Sequence, residues 1–278
     1  MFCRWLLAMW CLIGLSMSSV FEKPVARADE PKLADNDPRR HPLSEDDRTK
    51  LRKQWDDELA DVSKKLETKP DGLSLISKRG DLHFFRGEFT KSVRDYERMS
   101  ELDPPLDASH WRLGIAYFYA DQAEKSAKQF EKFFTTDDVD REAGLWKYIA
   151  QAPTLGTEKA RAGLLKYKKD DREPLPTIYR LFEAEITPEE LLKSADAKLP
   201  DNIREQRLFY IELYLGLWHD AHKRPADALT HFRTAKFAIS DVSVLALDRF
   251  RLRDEIEARI QHHRDSERKV AFQKFLLR

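Results

Sequence analysis

Small and apolar residues return along this chain every 34 positions. Gly80 and Gly114 are 34 apart, and Gly216 lies three such steps beyond Gly114. Twelve residues after this slot the same step gives Ser92, Ser126, Ala160, Ser194 and Ala228. Four residues later it gives Tyr96, Phe130, Leu164, Lys198 and Phe232, and three beyond that Met99, Phe133, Tyr167, Asp201 and Ala235. A period of this length marks stacked supersecondary units that bury their apolar faces against one another. One period, LGIAYFYADQAEKSAKQFEKF from Leu113 to Phe133, reads as two helices. Glycine inside a helix costs about 1 kcal/mol relative to alanine, so Gly114 needs a packing reason. Our expectation is that small residues of the first helix face small residues of the second. The two axes then approach below the usual separation of about 8–10 Å, with Tyr117 and Phe130 filling the surrounding space.

The order Leu-Gly, an aromatic three on, then small, aromatic and small residues resembles the tetratricopeptide repeat. Units fall at 73–106, 107–140, 141–174, 175–208 and 209–242. The packing positions are Gly80, Ser92, Tyr96, Gly114, Ser126, Phe130, Ala160, Gly216, Ala228 and Phe232. The fourth unit is degenerate, because Pro174, Pro176, Pro188 and Pro200 crowd it and Lys198 and Asp201 occupy apolar slots. It still starts a helix, since Thr187-Pro188-Glu189-Glu190 forms a capping box with proline at the first helical position. The fold class expected is all-α, a right-handed superhelix of antiparallel helix pairs. Residues 44–72 and 243–278 would cap the two ends with polar outer surfaces. The tail has a second reading as a basic amphipathic helix for anionic lipid, because 259–278 carries six Lys/Arg against two acids.

The N-terminus departs from this pattern. Arg4 precedes an apolar run, Trp5 to Met17, and Ala26-Arg27-Ala28 supplies an A-x-A cleavage pattern. We expect a signal peptide over 1–28, cleaved after Ala28, and an exported chain, periplasmic or extracellular. The alternative is an uncleaved anchor. Residues 29–43 read as a disordered lead-in. Both cysteines, Cys3 and Cys11, fall within 1–28, so a mature chain would have no disulfide and no thiol nucleophile. Trp10 before Cys11 does not suit lipoprotein processing, so membrane attachment after cleavage is not expected. Removing 1–28 leaves 46 basic against 48 acidic residues, a net charge of −2 that asks for no nucleic acid.

Catalytic motifs are missing: there is no G-x-S-x-G, H-E-x-x-H, phosphate loop or G-x-G-x-x-G. We assign no catalytic residue, metal, cofactor or small-molecule substrate. His219 and His222, three apart on a helix, could open a metal site but have no third ligand placed by sequence. A small metal-dependent hydrolase built on that pair is one alternative function, and a structural spacer without a specific partner is another.

Tetratricopeptide repeats line a concave groove with the first helix of each pair. The matching positions here are Ser77, Asp81, Phe84, Phe85, Trp111, Ile115, Phe118, Tyr119, Tyr210, Leu213 and Leu217. Aromatic side chains held near solvent mark binding surfaces, so protein or peptide partners are expected, with Trp111, Phe118 and Tyr119 as anchors. The other reading of these positions is a groove filled by the chain's own terminal helices. Ser77 and Asp81 stand where a carboxylate clamp needs Lys and Asn, which argues against that subtype.

Three segments carry a narrower likeness: LWKYIAQAPTLGTEKARAGLLKY from Leu145, YRLFEAEITPEELL from Tyr179, and FYIELYLGLWHDAHKRPADALTHFRTA from Phe209. Their order resembles the new lipoprotein I family of Gram-negative envelope tetratricopeptide proteins, over most of 72–240. The resemblance implies an adaptor without catalysis that scaffolds cell-wall hydrolases and a protease, and that forms a homodimer. No residue of this chain identifies a two-fold interface, and its Trp10-Cys11 departs from the family's lipid anchor.

Overall fold

A computed structural model describes residues 45–169, 171–195 and 199–238. The segments expected as signal peptide (1–28), lead-in (29–43) and C-terminal caps (243–278), together with Lys198, lie outside the described residues. Among the described residues there are twelve helices and no strand. A long leading helix, α1 (Glu45–Thr68), packs on the first of five hairpins. These hairpins are α2 (Leu73–Phe85) with α3 (Phe89–Leu102), α5 (Trp111–Tyr119) with α6 (Ala123–Phe134), and α7 (Glu142–Leu155) with α8 (Thr157–Ala162). Next come α9 (Leu175–Phe182) with α10 (Pro188–Ser194), and α11 (Asp201–Ala221) with α12 (Pro225–Ala238). A one-turn helix, α4 (Pro105–Ser109), is inserted between the first two hairpins. None of the described helices is long and apolar enough to cross a membrane.

The 34-residue step reappears in the backbone. Gly87, Asp121 and Lys223 occupy one phase of it, and all three adopt positive φ, at 71°, 59° and 59°. Each closes its first helix in the same way. The N–H groups of Glu88, Gln122 and Arg224 donate to the carbonyls of His83, Tyr117 and His219 at 2.8, 2.8 and 2.9 Å. Those of Gly87, Asp121 and Lys223 donate to Phe84, Phe118 and Asp220 at 2.9, 3.2 and 2.9 Å. This is the Schellman pattern, which satisfies carbonyls that a helix end would leave unpaired. Ala184 (φ 61°) ends α9 with the same bonds, but five residues ahead of the phase.

Glycine and ring meet at a fixed offset of sixteen. A Cβ on Gly80 would stand 2.6 Å from Tyr96 Cε1, one on Gly114 2.8 Å from Phe130 Cε2, and one on Gly216 still closer to Phe232. This corrects the expected small-on-small contact. The ring of the second helix lies directly on the glycine, while Ser92, Ser126, Ala160 and Ala228 are separately buried. In the third and fourth units the glycine slot holds Tyr148 and Phe182 instead. These rings pack edge-to-face on each other at 5.1 Å, and the second helices of both units shrink to six and seven residues. In both units the slot is filled by a ring of the first helix, so no ring of the second helix is seated there.

Helix α7 sits at the centre, against α6, α8, α9 and α11. Every residue from Ala143 to Ala150 is buried, as a helix enclosed on all sides requires. Gly144, unmarked by the 34-residue step, lies against Tyr179 of α9, whose Oη would be 2.5 Å from an added Cβ. Lys147 is buried in the same helix. Its ammonium donates to the Gly163 carbonyl at 2.7 Å, capping α8, and pairs with Glu131 at 2.8 Å. The capping box forms as expected: Thr187 N donates to Glu190 Oε2 at 2.8 Å, and Glu190 N to Thr187 Oγ1 at 3.2 Å. Two unit boundaries move. His110 caps α5 through Nδ1, which accepts from Leu113 N at 3.2 Å, so the second unit's first helix starts at Trp111 rather than 107. Helix α11 starts at Asp201 and absorbs the end of the fourth unit.

Candidate functional site

The expected groove positions separate into three groups by exposure. Phe84, Ile115, Phe118, Leu213 and Leu217 are core residues, and Phe118 is only 8% exposed. Phe118 meets Trp146 at 5.6 Å and Tyr119 at 5.3 Å, while Phe84 meets Phe89 at 5.3 Å and Tyr119 at 5.8 Å. One anchor expected from sequence, Phe118, is therefore core rather than surface. Spacing along α5 puts Phe118 beside Ile115, but it carries no information about Trp146, which arrives from α7. Phe85 is half-buried beneath Trp55 of α1, stacked at 5.8 Å. Ser77, Asp81, Tyr119 and Tyr210 are also half-buried. Trp111 is 41% exposed.

A narrow cleft, open to solvent, lies at the junction of α2 and α5. Five expected groove residues line it: Asp81, Phe84, Phe85, Trp111 and Ile115. Tyr96 and Arg112 complete the wall, and sequence reasoning did not place Arg112 there. The Arg112 guanidinium reaches from α5 to α2. Its Nη1 donates to Asp81 Oδ1 and Oδ2 at 2.7 and 2.8 Å, and its Nη2 to Ser77 Oγ at 3.0 Å. Tyr96 Oη donates to Asp81 Oδ1 at 2.5 Å, and the Tyr96 ring lies 5.4 Å from the guanidinium carbon. Burial, then the neighbouring Asp81 carboxylate, pushes the Tyr96 phenol far above its ordinary range. The cleft thus has an aromatic floor and one polar wall with fixed hydrogen bonds. The signal that could have revealed it is an acid on one unit's first helix and an arginine 31 residues later on the next.

The histidines of the fifth hairpin serve packing. His219 is 4% exposed, and its ring stacks on His231 at 5.0 Å with 5° between planes. His231 Nδ1 pairs with Glu212 Oε2 at 2.7 Å. His222 Nδ1 donates to the Trp218 carbonyl at 2.7 Å, and its ring lies 3.9 Å from that of Trp218. Burial, followed by the nearby His231 and Arg224 charges, lowers the His219 pKa to about 4. Among the described residues no three His, Cys, Asp or Glu side chains come together as metal ligands. A scan of the chain against models of known protein families finds no match, which leaves the α2–α5 cleft as the guide to what this chain does.

Proposed function

We propose that this protein is an exported adaptor whose hairpins form a right-handed tetratricopeptide superhelix and whose α2–α5 cleft takes a side chain of a protein or peptide partner. The observation that carries the reading is Trp111. It is a large aromatic side chain 41% exposed at the mouth of a cleft whose other aromatic walls are already fixed in place. Pre-positioned aromatic walls lower the ordering cost of binding, and exposed tryptophans dominate interface energetics. The recurrence of the glycine–ring contact and the left-handed turn residue at 34-residue steps supports the superhelix. The apolar run and A-x-A pattern of residues 1–28 support export. Cell-wall hydrolases or a protease as partners, and a homodimer, follow from the resemblance to new lipoprotein I alone.

The test begins with peptides selected from a displayed random library on the purified chain. Trp111→Ala should weaken a selected peptide by about tenfold, equivalent to about 1.4 kcal/mol, with unchanged helical circular dichroism. Unchanged affinity, or peptides that compete for no tryptophan fluorescence change, would remove the cleft from the reading.

A further inference from the structure

The first hairpin departs from its siblings on the face opposite the cleft. Arg79 stands one period before Leu113 and four before Leu215, both buried leucines in the α5–α6 and α11–α12 hairpins. Asp95 likewise stands one period before Gln129. Where α5–α6 is closed by Leu113, Tyr117 and Gln129, the α2–α3 hairpin is open. An open hollow of about 260 Å³ lies there, lined by Arg79, His83, Lys91, Arg94 and Asp95. Positions two apart on a helix lie about 200° apart around its axis, so Arg79 and His83 face away from Asp81 and Phe85.

The charges of this cavity do not balance. Asp95 is taken by Arg79, whose Nε and Nη2 donate to its oxygens at 2.9 and 2.6 Å. Glu88 on the rim holds His83 Nδ1 at 2.6 Å and Lys91 at 3.1 Å. Arg94 is exposed and engages no carboxylate among the described residues. Its counterpart Lys128 pairs with Glu124 at 2.7 Å, but the residue matching Glu124 is Thr90. Glu97, the acid one turn after Arg94, is instead bound by Tyr117 and Lys125 at 2.8 and 3.0 Å. Three cations therefore face two engaged carboxylates.

We propose that this α2–α3 cavity docks an acidic peptide segment, its carboxylates held by Arg94 and Lys91 with Arg79 at the base. The space is many times the ~10–15 Å³ that one water needs, so it suits a run of side chains better than a single small ion. Guanidinium groups match carboxylates in a bidentate fork. The proposal does not rest on the α2–α5 cleft. Together the two faces would let one hairpin hold two partners.

Fluorescence anisotropy with a labelled oligoglutamate peptide and its oligoglutamine counterpart tests it on the purified chain. The glutamate peptide should bind, more weakly as salt rises, and the glutamine peptide should not. Lys91→Gln/Arg94→Gln should weaken binding about tenfold or more, as loss of rim charges predicts. Arg79→Leu/Asp95→Gln, the pair found in the next hairpin, should also weaken it with the helical signal intact. Trp111→Ala should leave it unchanged, which separates this site from the cleft. Equal binding of the glutamine peptide, or undiminished binding by the Lys91/Arg94 variant, would overturn the proposal. So would displacement by inorganic phosphate at the same carboxylate-equivalent concentration, which would make the cavity a small-anion site.

Discussion

Gly114 shows how one missing side chain organises a hairpin. Alanine there would gain about 1 kcal/mol of helix propensity. Its Cβ, however, would stand 2.8 Å from Phe130 Cε2, and the ring is buried on every side. Overpacking of this kind costs about 1–3 kcal/mol, so the clash wins. Gly114→Ala should lower the thermal midpoint, and Gly114→Ala/Phe130→Leu should recover part of the loss. A stabilised single variant would disprove the contact's role. The glycine slot was legible in the sequence because it recurs in step. The ring seated on it was legible only as a nearby filler, since spacing gives a side chain's face but not its reach. Arg112 was legible only as half of a 31-residue acid–arginine spacing, too weak to single it out. Its role depends on Asp81 of another helix, and neither residue breaks the pattern of an ordinary polar position.

At the scale of the element, each hairpin is set by its turn as much as by its faces. Asp121 and Lys223 hold a left-handed backbone that only glycine adopts without steric cost, and Gly87 does the same job in the first hairpin. Lys223 is exposed, so its side chain contributes little to compensate. Lys223→Gly should therefore stabilise the chain by about 0.5–1 kcal/mol, the relief of left-handed strain outweighing the added freedom of the unfolded chain. Urea unfolding measures this, and a lowered midpoint would count against it. None of the three turns was read from the sequence: glycine at 87 is compatible with one, but aspartate and lysine give no local sign of a positive φ. The shortening of α8 and α10 was likewise hidden. It accompanies Tyr148 and Phe182 in slots whose meaning appears only when the glycine-bearing hairpins are compared.

Across the molecule, two buried histidines set a common response to acid. His110 in the second hairpin and His219 in the fifth are both lowered to about 4. For His110 burial is the largest cause and the Arg112 charge the next. The unfolded chain takes up protons near pH 6.5, before the folded chain does. Stability should fall as pH drops below about 6.5, with the loss from these groups complete near pH 4. Each buried imidazole contributes about 3 kcal/mol to that fall. His219→Gln should flatten the dependence of the unfolding free energy on pH over this window, while an unchanged slope would contradict the assignment. The two histidines belong to different hairpins and touch different partners, Leu113 and Tyr96 against Trp218 and His231, so His110→Gln should flatten it independently, the two effects adding.

The sequence by itself determined the helical class, the period, the pairing of helices, the glycine slots and the capping box at Thr187. These follow from local propensity and from which residues share a helix face, and both are set within a few turns of chain. Only the tertiary structure decided that Phe118 is core and Trp111 surface, that Arg112 closes the cleft wall, and that the first hairpin opens a cationic cavity. Exposure and ion pairing depend on what distant helices bring to a face, and Trp146 and Asp81 reach theirs from other hairpins.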